Sequence, residues 1–238
     1  MFDRHVDYPT AVASYDDDGL AAAVKWCLEH WEPGDVLTVW TSLKSNLRNC
    51  PQLEQFVARY RDVEHVTGRG GAYLSGSGPV LMAWADMDDI GQLVQRSGHR
   101  VRALCVISWN EDAIRPWVSA MRPTVLGDGS AWENLTPELD PVVLEALKGL
   151  ALNHNNTIAA GFEKDQVVST LLALHDAGVP MDGTAMQGWA LANGWAGKNP
   201  DHLARYVRDI NKGKRPRCRR VIRADYVGYL RQRLAENG

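Results

Sequence analysis

The chain holds only four cysteines, Cys27, Cys50, Cys105 and Cys218, among 238 residues. None belongs to a Cys-x-x-Cys pair, and no histidine stands at zinc-ligand spacing from any of them. They read as reduced thiols rather than a disulfide framework or a zinc site. No run of about 18 apolar residues exists, so no spanning helix is expected and no membrane partner is assigned. The first residues, Met-Phe-Asp-Arg-His-Val-Asp, lack a basic start followed by an apolar stretch. No secretory leader is therefore expected, and a cytoplasmic location follows. There is also no repeat of 20–50 residues and no low-complexity run.

The motifs of common enzyme classes are missing too. Gly68-Arg-Gly-Gly does not lead into a helix as G-x-G-x-x-G does, and Gly76-Ser-Gly-Pro is not a P-loop. Neither G-x-S-x-G nor H-E-x-x-H occurs, and no cysteine has an evident histidine partner. The seven histidines are scattered. No catalytic residue is named on this basis, and no cofactor motif is present.

What the chain does have is an ordinary globular composition, 45% hydrophobic and 23% charged, with enough length for one large or two small domains. Its formal net charge of -3 hides a segregation. Residues 196–238 carry 12 basic and 4 acidic side chains, whereas 1–195 carry 14 basic and 25 acidic. Such asymmetry points to a polyanionic partner, or to a basic end that docks on the acidic remainder or on a second copy.

Apolar runs at 36–40, 63–67, 80–84, 101–109 and 123–127 read as strands buried on both sides. Amphipathic stretches between them, at about 16–31, 51–61, 86–96 and 111–121, read as helices. Residues 1–15 look irregular, and the glycine-rich stretch 68–78 reads as a loop around a hairpin. Alternating strands and helices predict an α/β fold, a mostly parallel sheet in a Rossmann-like three-layer arrangement, over residues 1–128. Breakers and acids mark 129–140 as a linker. From 141 onward helices are expected at 141–160, 164–177, 183–193, 200–211 and 224–235, giving an all-α, helix-turn-helix-like domain over 141–238.

Three predicted strands end alike, in Trp40, Trp84 and Trp109, each followed by polar residues. In a parallel sheet these ends share one edge, where open α/β folds bind ligands. A pocket of Trp40, Ser42, Lys44, Arg69, Trp84, Trp109 and Asn110 is predicted, its indoles offering stacking faces for a nucleotide or base. Asp86 and Asp88 there are candidates for holding magnesium, a cation that prefers oxygen ligands. They equally suit the first turn of a helix, where carboxylates meet free amides and the positive dipole end.

The basic end carries the sharpest signal. Within 200–211, Leu203, Tyr206, Val207 and Ile210 fall on one side and Arg205, Arg208 and Lys212 on the other. An acid-free run, Lys212-Gly-Lys-Arg-Pro-Arg-Cys-Arg-Arg-Val-Ile-Arg223, follows, with a short strand expected at 219–223. Three short helices and then a basic segment resemble a helix-turn-helix or winged-helix order over about 60 residues. Two departures stand against it: a 194–200 connection longer than the usual turn, and no second wing strand. Lys198, Arg205, Arg208, Lys212, Lys214, Arg215, Arg217, Arg219 and Arg220 are the expected contacts to nucleic acid, duplex DNA first. A homodimer through the last helix or through 141–160 would suit a DNA reader. The rival expectations are a nucleotide- or nucleic-acid-processing enzyme at the sheet edge, metal-assisted through Asp86 and Asp88, and a protein–protein adaptor without chemistry.

Overall fold

The computed structural model describes residues 6–70, 73–133, 135, 139–150, 157–195, 197–219 and 221–237. Among these, six strands form one all-parallel sheet: β1 (Thr10–Ala13), β2 (Leu37–Thr41), β3 (Val63–Thr67), β4 (Gly78–Ala83), β5 (Val101–Ile107) and β6 (Thr124–Leu126), in the order β3-β2-β4-β5-β1-β6. The sequence missed β1. Its four residues are too few to show a period, yet Ala11, Val12 and Ala13 are buried between β5 and β6. The hairpin expected at 68–78 is not formed, because β2 lies between β3 and β4; the described part of the stretch opens with a 3-10 turn, Gly68–Gly70.

Five α-helices cover the two faces. On one side α1 (Asp17–Glu29), α2 (Lys44–Arg48) and α3 (Pro51–Arg59) bury Ala23, Cys27, Leu47 and Leu53 against Ala11, Ala13, Val39, Leu81, Ala83 and Cys105. On the other, α4 (Met87–Ser97) and α5 (Arg115–Met121) bury Ile90, Leu93, Ile114 and Trp117 against Val12, Val80, Met82, Leu104 and Val106. Alternate residues of each strand serve opposite cores, and that explains strands without a polar face. Strands that lead leftward in the order given above are followed by helices on one face and those leading rightward by helices on the other, as right-handed crossovers require.

The C-terminal part is helical: α6 (Pro141–Gly149), α7 (Gly161–Asp176), α8 (Gly183–Ala192), α9 (Asn199–Asn211) and α10 (Tyr226–Asn237). The helix expected over 141–160 stops at Gly149; residues 151–156 lie outside the described set. Val143, Leu147, Val167, Leu171, Met186, Leu203, Val207, Val227 and Leu230 form a third core. Buried polar groups tie it together. Tyr206 donates its hydroxyl to Ile158 O (2.9 Å), and Asn199 Oδ1 accepts from Ile158 N (3.1 Å).

Helix α8 belongs to both parts. Met186 and Ala190 enter the third core, while Leu191 enters the core beneath α4 and α5. It crosses α5 at Gly188, where an added Cβ would lie 2.2 Å from the Pro116 carbonyl carbon and oxygen. A second tie is backbone to backbone: Gly197 N donates to Gly91 O at 3.2 Å. The helical part is thereby fixed at the N-terminal end of α4, which is also the carboxyl edge of the sheet.

Candidate functional site

Ligand crevices in open parallel sheets arise where neighbouring strands send their chains to opposite faces. The order found here does so twice, between β2 and β4 and between β5 and β1. At the first, Thr41 donates its hydroxyl to Leu43 O (2.8 Å) and so accepts from His65 Nε2 (2.8 Å), which sets the proton on that nitrogen. Burial, and then the charge of Lys44, lower the His65 pKa and keep the ring neutral. The pair locks the turn that carries Ser42 and Lys44. Ser42 Oγ donates to Asp89 Oδ2 at 3.1 Å. Gly68 lies over the indole of Trp40, close enough that a Cβ would sit 3.0 Å from Cζ2, and brings Arg69 past the end of β3.

The carboxylates beside this turn are helix caps. Asp86 accepts from Asp89 N (2.9 Å) and Asp89 from Asp86 N (3.3 Å), a reciprocal box that ends the free amides of α4. Burial, then the neighbouring Asp86, push the Asp89 pKa up to about 6. Asp88 is raised by burial, Asp86 and Asp201 in that order, with Lys198 opposing. So the start of α9 stands within electrostatic reach of the sheet edge. Among the described residues no group of three or more His, Cys, Asp or Glu side chains is placed to hold a metal ion. With Asp86 committed to the cap, the donors fit magnesium poorly.

The three tryptophans do not form one aromatic wall. Trp40 is fully buried, one residue before β2 ends, in the core under α4. Trp84 packs toward the opposite core. It follows β4 in a left-handed conformation (φ 63°), its amide bonded to Ile107 O at 2.7 Å. Trp109 is 69% exposed. Strand ends that look alike in sequence differ because side chains alternate faces, and because β4 and β5 stop one and two residues before their tryptophans. Ser42, Lys44 and Arg69 gather at the β2 and β3 ends, while Trp109 and Asn110 follow β5, on the far side of β4.

Sequence inspection passed over the second crevice. Ala13 pairs with Ile107, and the following residues are Ser14-Tyr15-Asp16 on one strand and Ser108-Trp109-Asn110 on the next. Both serines are buried and fold their turns. Ser14 Oγ donates to Asp16 (3.1 Å) and accepts from Asp128 N (3.2 Å), and Ser108 Oγ donates to Asn110 O (2.8 Å). Tyr15 is thereby left 59% exposed, two residues past Ala13 as Trp109 is two past its pair Ile107. The Ser-aromatic-Asp/Asn triplet repeats in the sequence, but it marks a strand end only once the short β1 places Ser14 there.

At the basic end, α9 divides as its periodicity predicts. Leu203, Tyr206, Val207 and Ile210 are buried, and Lys198, Arg205, Arg208 and Lys212 are exposed. Arg205 donates to His202 Nδ1 (2.7 Å), and burial followed by that guanidinium lowers the His202 pKa. The segment beyond α9 has no strand among its described residues, so the expected one at 219–223 is absent there; Arg220 lies outside the described set. The segment lies along α7. Arg215 forms a two-pronged bond with Asp176 (2.9 and 2.6 Å), which holds the Asp176 pKa below the usual carboxylate range. Lys214 reaches Asp209 (2.7 Å) and Arg223 pairs with Asp225. An open groove of about 410 Å³ remains between α7, this segment and α10, lined by Leu172, Ala173, Cys218, Ile222 and Val227. Among the described residues Arg208, Lys212, Arg217 and Arg219 make no ion pair. Lys214 and Arg215 thus fasten the segment to the protein, and the other cations face outward.

No helix among the described residues is long and apolar enough to cross a membrane. Residues 139–231, which run from just before α6 into α10, are similar to a family described as a domain of unknown function, DUF1889. No curated protein and no solved structure matches the chain.

Proposed function

We propose that the chain is a cytoplasmic nucleic-acid-binding protein that grips duplex DNA through the outer face of α9 and the segment after it. The observation that carries this reading is the set of exposed cations without an ion pair, Arg208, Lys212, Arg217 and Arg219, contiguous with Arg205 and Lys198. Like charges held this close repel each other, and a phosphate backbone relieves the repulsion while releasing counterions. Helix α8 is buried from both sides, so contact is made by α9 and the arm rather than by a projecting helix pair. Charge reversal of Arg205, Arg208 and Lys212 spares the Arg215–Asp176 and Lys214–Asp209 anchors. Fluorescence anisotropy with labelled duplex should show binding by the wild type and none by the triple variant. Equal binding by both, or none by the wild type, rejects the reading.

A second reading has its own observation. Ser42 bonds Asp89 at the β2/β4 crevice, His65 bonds the adjacent Thr41, and Lys44 and Arg69 follow the ends of β2 and β3 to receive an anion. This supports a nucleotide- or nucleic-acid-processing site that uses Asp89 as a proton carrier near neutral pH. Hydrolysis of nucleoside triphosphates or labelled DNA, abolished in Asp89→Asn, would support it. No turnover by the wild type would remove it.

A further inference from the structure

The crevice between β5 and β1 exposes two large aromatic side chains at neighbouring places on one sheet edge, Trp109 at 69% and Tyr15 at 59%. Single exposed rings are ordinary on a protein surface, but two that follow paired strand ends form a patch, and patches mark interaction sites. Their turns are built rather than loose, since buried Ser14 and Ser108 hold them by the hydrogen bonds given above. The surroundings are acidic: Asp16, Asp17, Asp18 and Asp128 are exposed in the adjoining turns, and Glu111 follows Trp109 by two residues. Aromatic faces ringed by carboxylates attract a cation and repel phosphate. The guest is therefore not the backbone of a nucleic acid.

We propose that, when no nucleic acid occupies the arm, this edge receives the arginine arm of a second copy of the chain, with Arg217 and Arg219 set against Trp109 and Tyr15. Charge complementarity carries the choice of occupant. Residues 196–238 hold 12 basic and 4 acidic side chains, and the remainder holds 14 and 25. Arg217 and Arg219 are exposed and have no ion pair within their own protomer's described residues. Neighbouring Arg215 is clamped to Asp176, which anchors the arm beside the two free arginines. Guanidinium groups stack on indole and phenol faces better than ammonium groups do, and this favours an arginine strip.

Self-association follows as a salt-sensitive equilibrium, measured by sedimentation on protein freed of nucleic acid. Wild type should associate in low salt and separate in high salt. Tyr15→Ala/Trp109→Ala and Arg217→Glu/Arg219→Glu should each weaken association roughly tenfold or more, with unchanged thermal unfolding. A mixture of the two variants should form a 1:1 complex that neither forms alone, since each supplies the surface the other lacks. Wild type that stays monomeric in low salt overturns the proposal, also if it binds a free arginine-rich peptide at Trp109. A double variant that associates like wild type overturns it as well. Arg205, Arg208 and Lys212 are untouched by these variants and no nucleic acid is present, so failure here and failure of the DNA-binding reading are separate results.

Discussion

Replacing Gly188 by alanine should destabilise the protein, although alanine is the better helix former. In a helix interior the exchange alone contributes about 1 kcal/mol in favour of folding. Here the new Cβ would meet the Pro116 carbonyl carbon and oxygen at 2.2 Å and the Pro116 Cβ at 2.6 Å. Carbon atoms rest at about 3.5–4.0 Å, so α5 and α8 would have to part by roughly 1 Å or more. Two of the contacted atoms are backbone and cannot rotate aside. Overpacking of this kind costs about 1–3 kcal/mol, and parting the helices also loosens Leu191 from the core under α5. The expected net loss is up to about 2 kcal/mol.

Gly228 provides the control. It lies in α10, is exposed, and has nothing within 4 Å of its would-be Cβ. Gly228→Ala should therefore stabilise by about 0.5–1 kcal/mol through the same propensity. Urea unfolding followed by tryptophan fluorescence and far-ultraviolet circular dichroism gives both midpoints. The two substitutions should move them in opposite directions. A Gly188→Ala midpoint equal to or above that of Gly228→Ala would refute the close crossing, and with it the fixed placement of the helical part on the sheet.

Asp89 makes stability depend on pH. Its folded pKa of about 6 is raised, so the folded state holds the proton more tightly, and this contribution fades as pH rises from the ordinary aspartate value to about 6. The melting temperature of wild type relative to Asp89→Asn should accordingly fall across that window and level off above it. Asp182 accepts from Thr184 N (2.7 Å) and Ala185 N (3.1 Å) at the start of α8, so Asp182→Ala should cost about 1 kcal/mol in chemical denaturation. If α9 and the arm place six to eight cations on phosphates, the logarithm of DNA affinity should fall with that of salt at a slope of roughly -5 to -7; a flat response excludes phosphate contact.

The sheet was legible because burial on both faces leaves apolar runs that a reader can find, and because the helices between them keep a 3.6-residue period. β1 was not, since four residues starting with threonine carry no period and only their neighbours on both sides explain their burial. The α9 face was legible for the same reason as the helices of the sheet. The division of labour within 212–223 was not. Lys214 and Arg215 look like Arg217 and Arg219 in sequence, and only the approach of Asp209 and Asp176 from α9 and α7 separates anchors from free cations. The aromatic pocket failed on direction: three similar strand ends point to different faces, which residue type alone does not reveal.

Helix α8 has a consequence for how the two parts communicate. Buried on one side against α5 and on the other against α9, it cannot swing without opening two cores. The start of α9 is pinned besides by the Gly197–Gly91 hydrogen bond, and the charges of Lys198 and Asp201 reach Asp88. Lys198 thus sits between the sheet edge and the cationic face of α9. A cation or proton that neutralises Asp88 withdraws an attraction from Lys198, and an anion drawn to Lys198 cancels the help that lysine gives Asp88 to ionise. Because the helices are rigidly seated, this coupling passes through charge alone rather than through domain motion. Asp88→Asn should therefore raise the affinity for polyanion slightly in low salt and leave it unchanged in high salt, where screening cancels the attraction that the carboxylate exerts on Lys198.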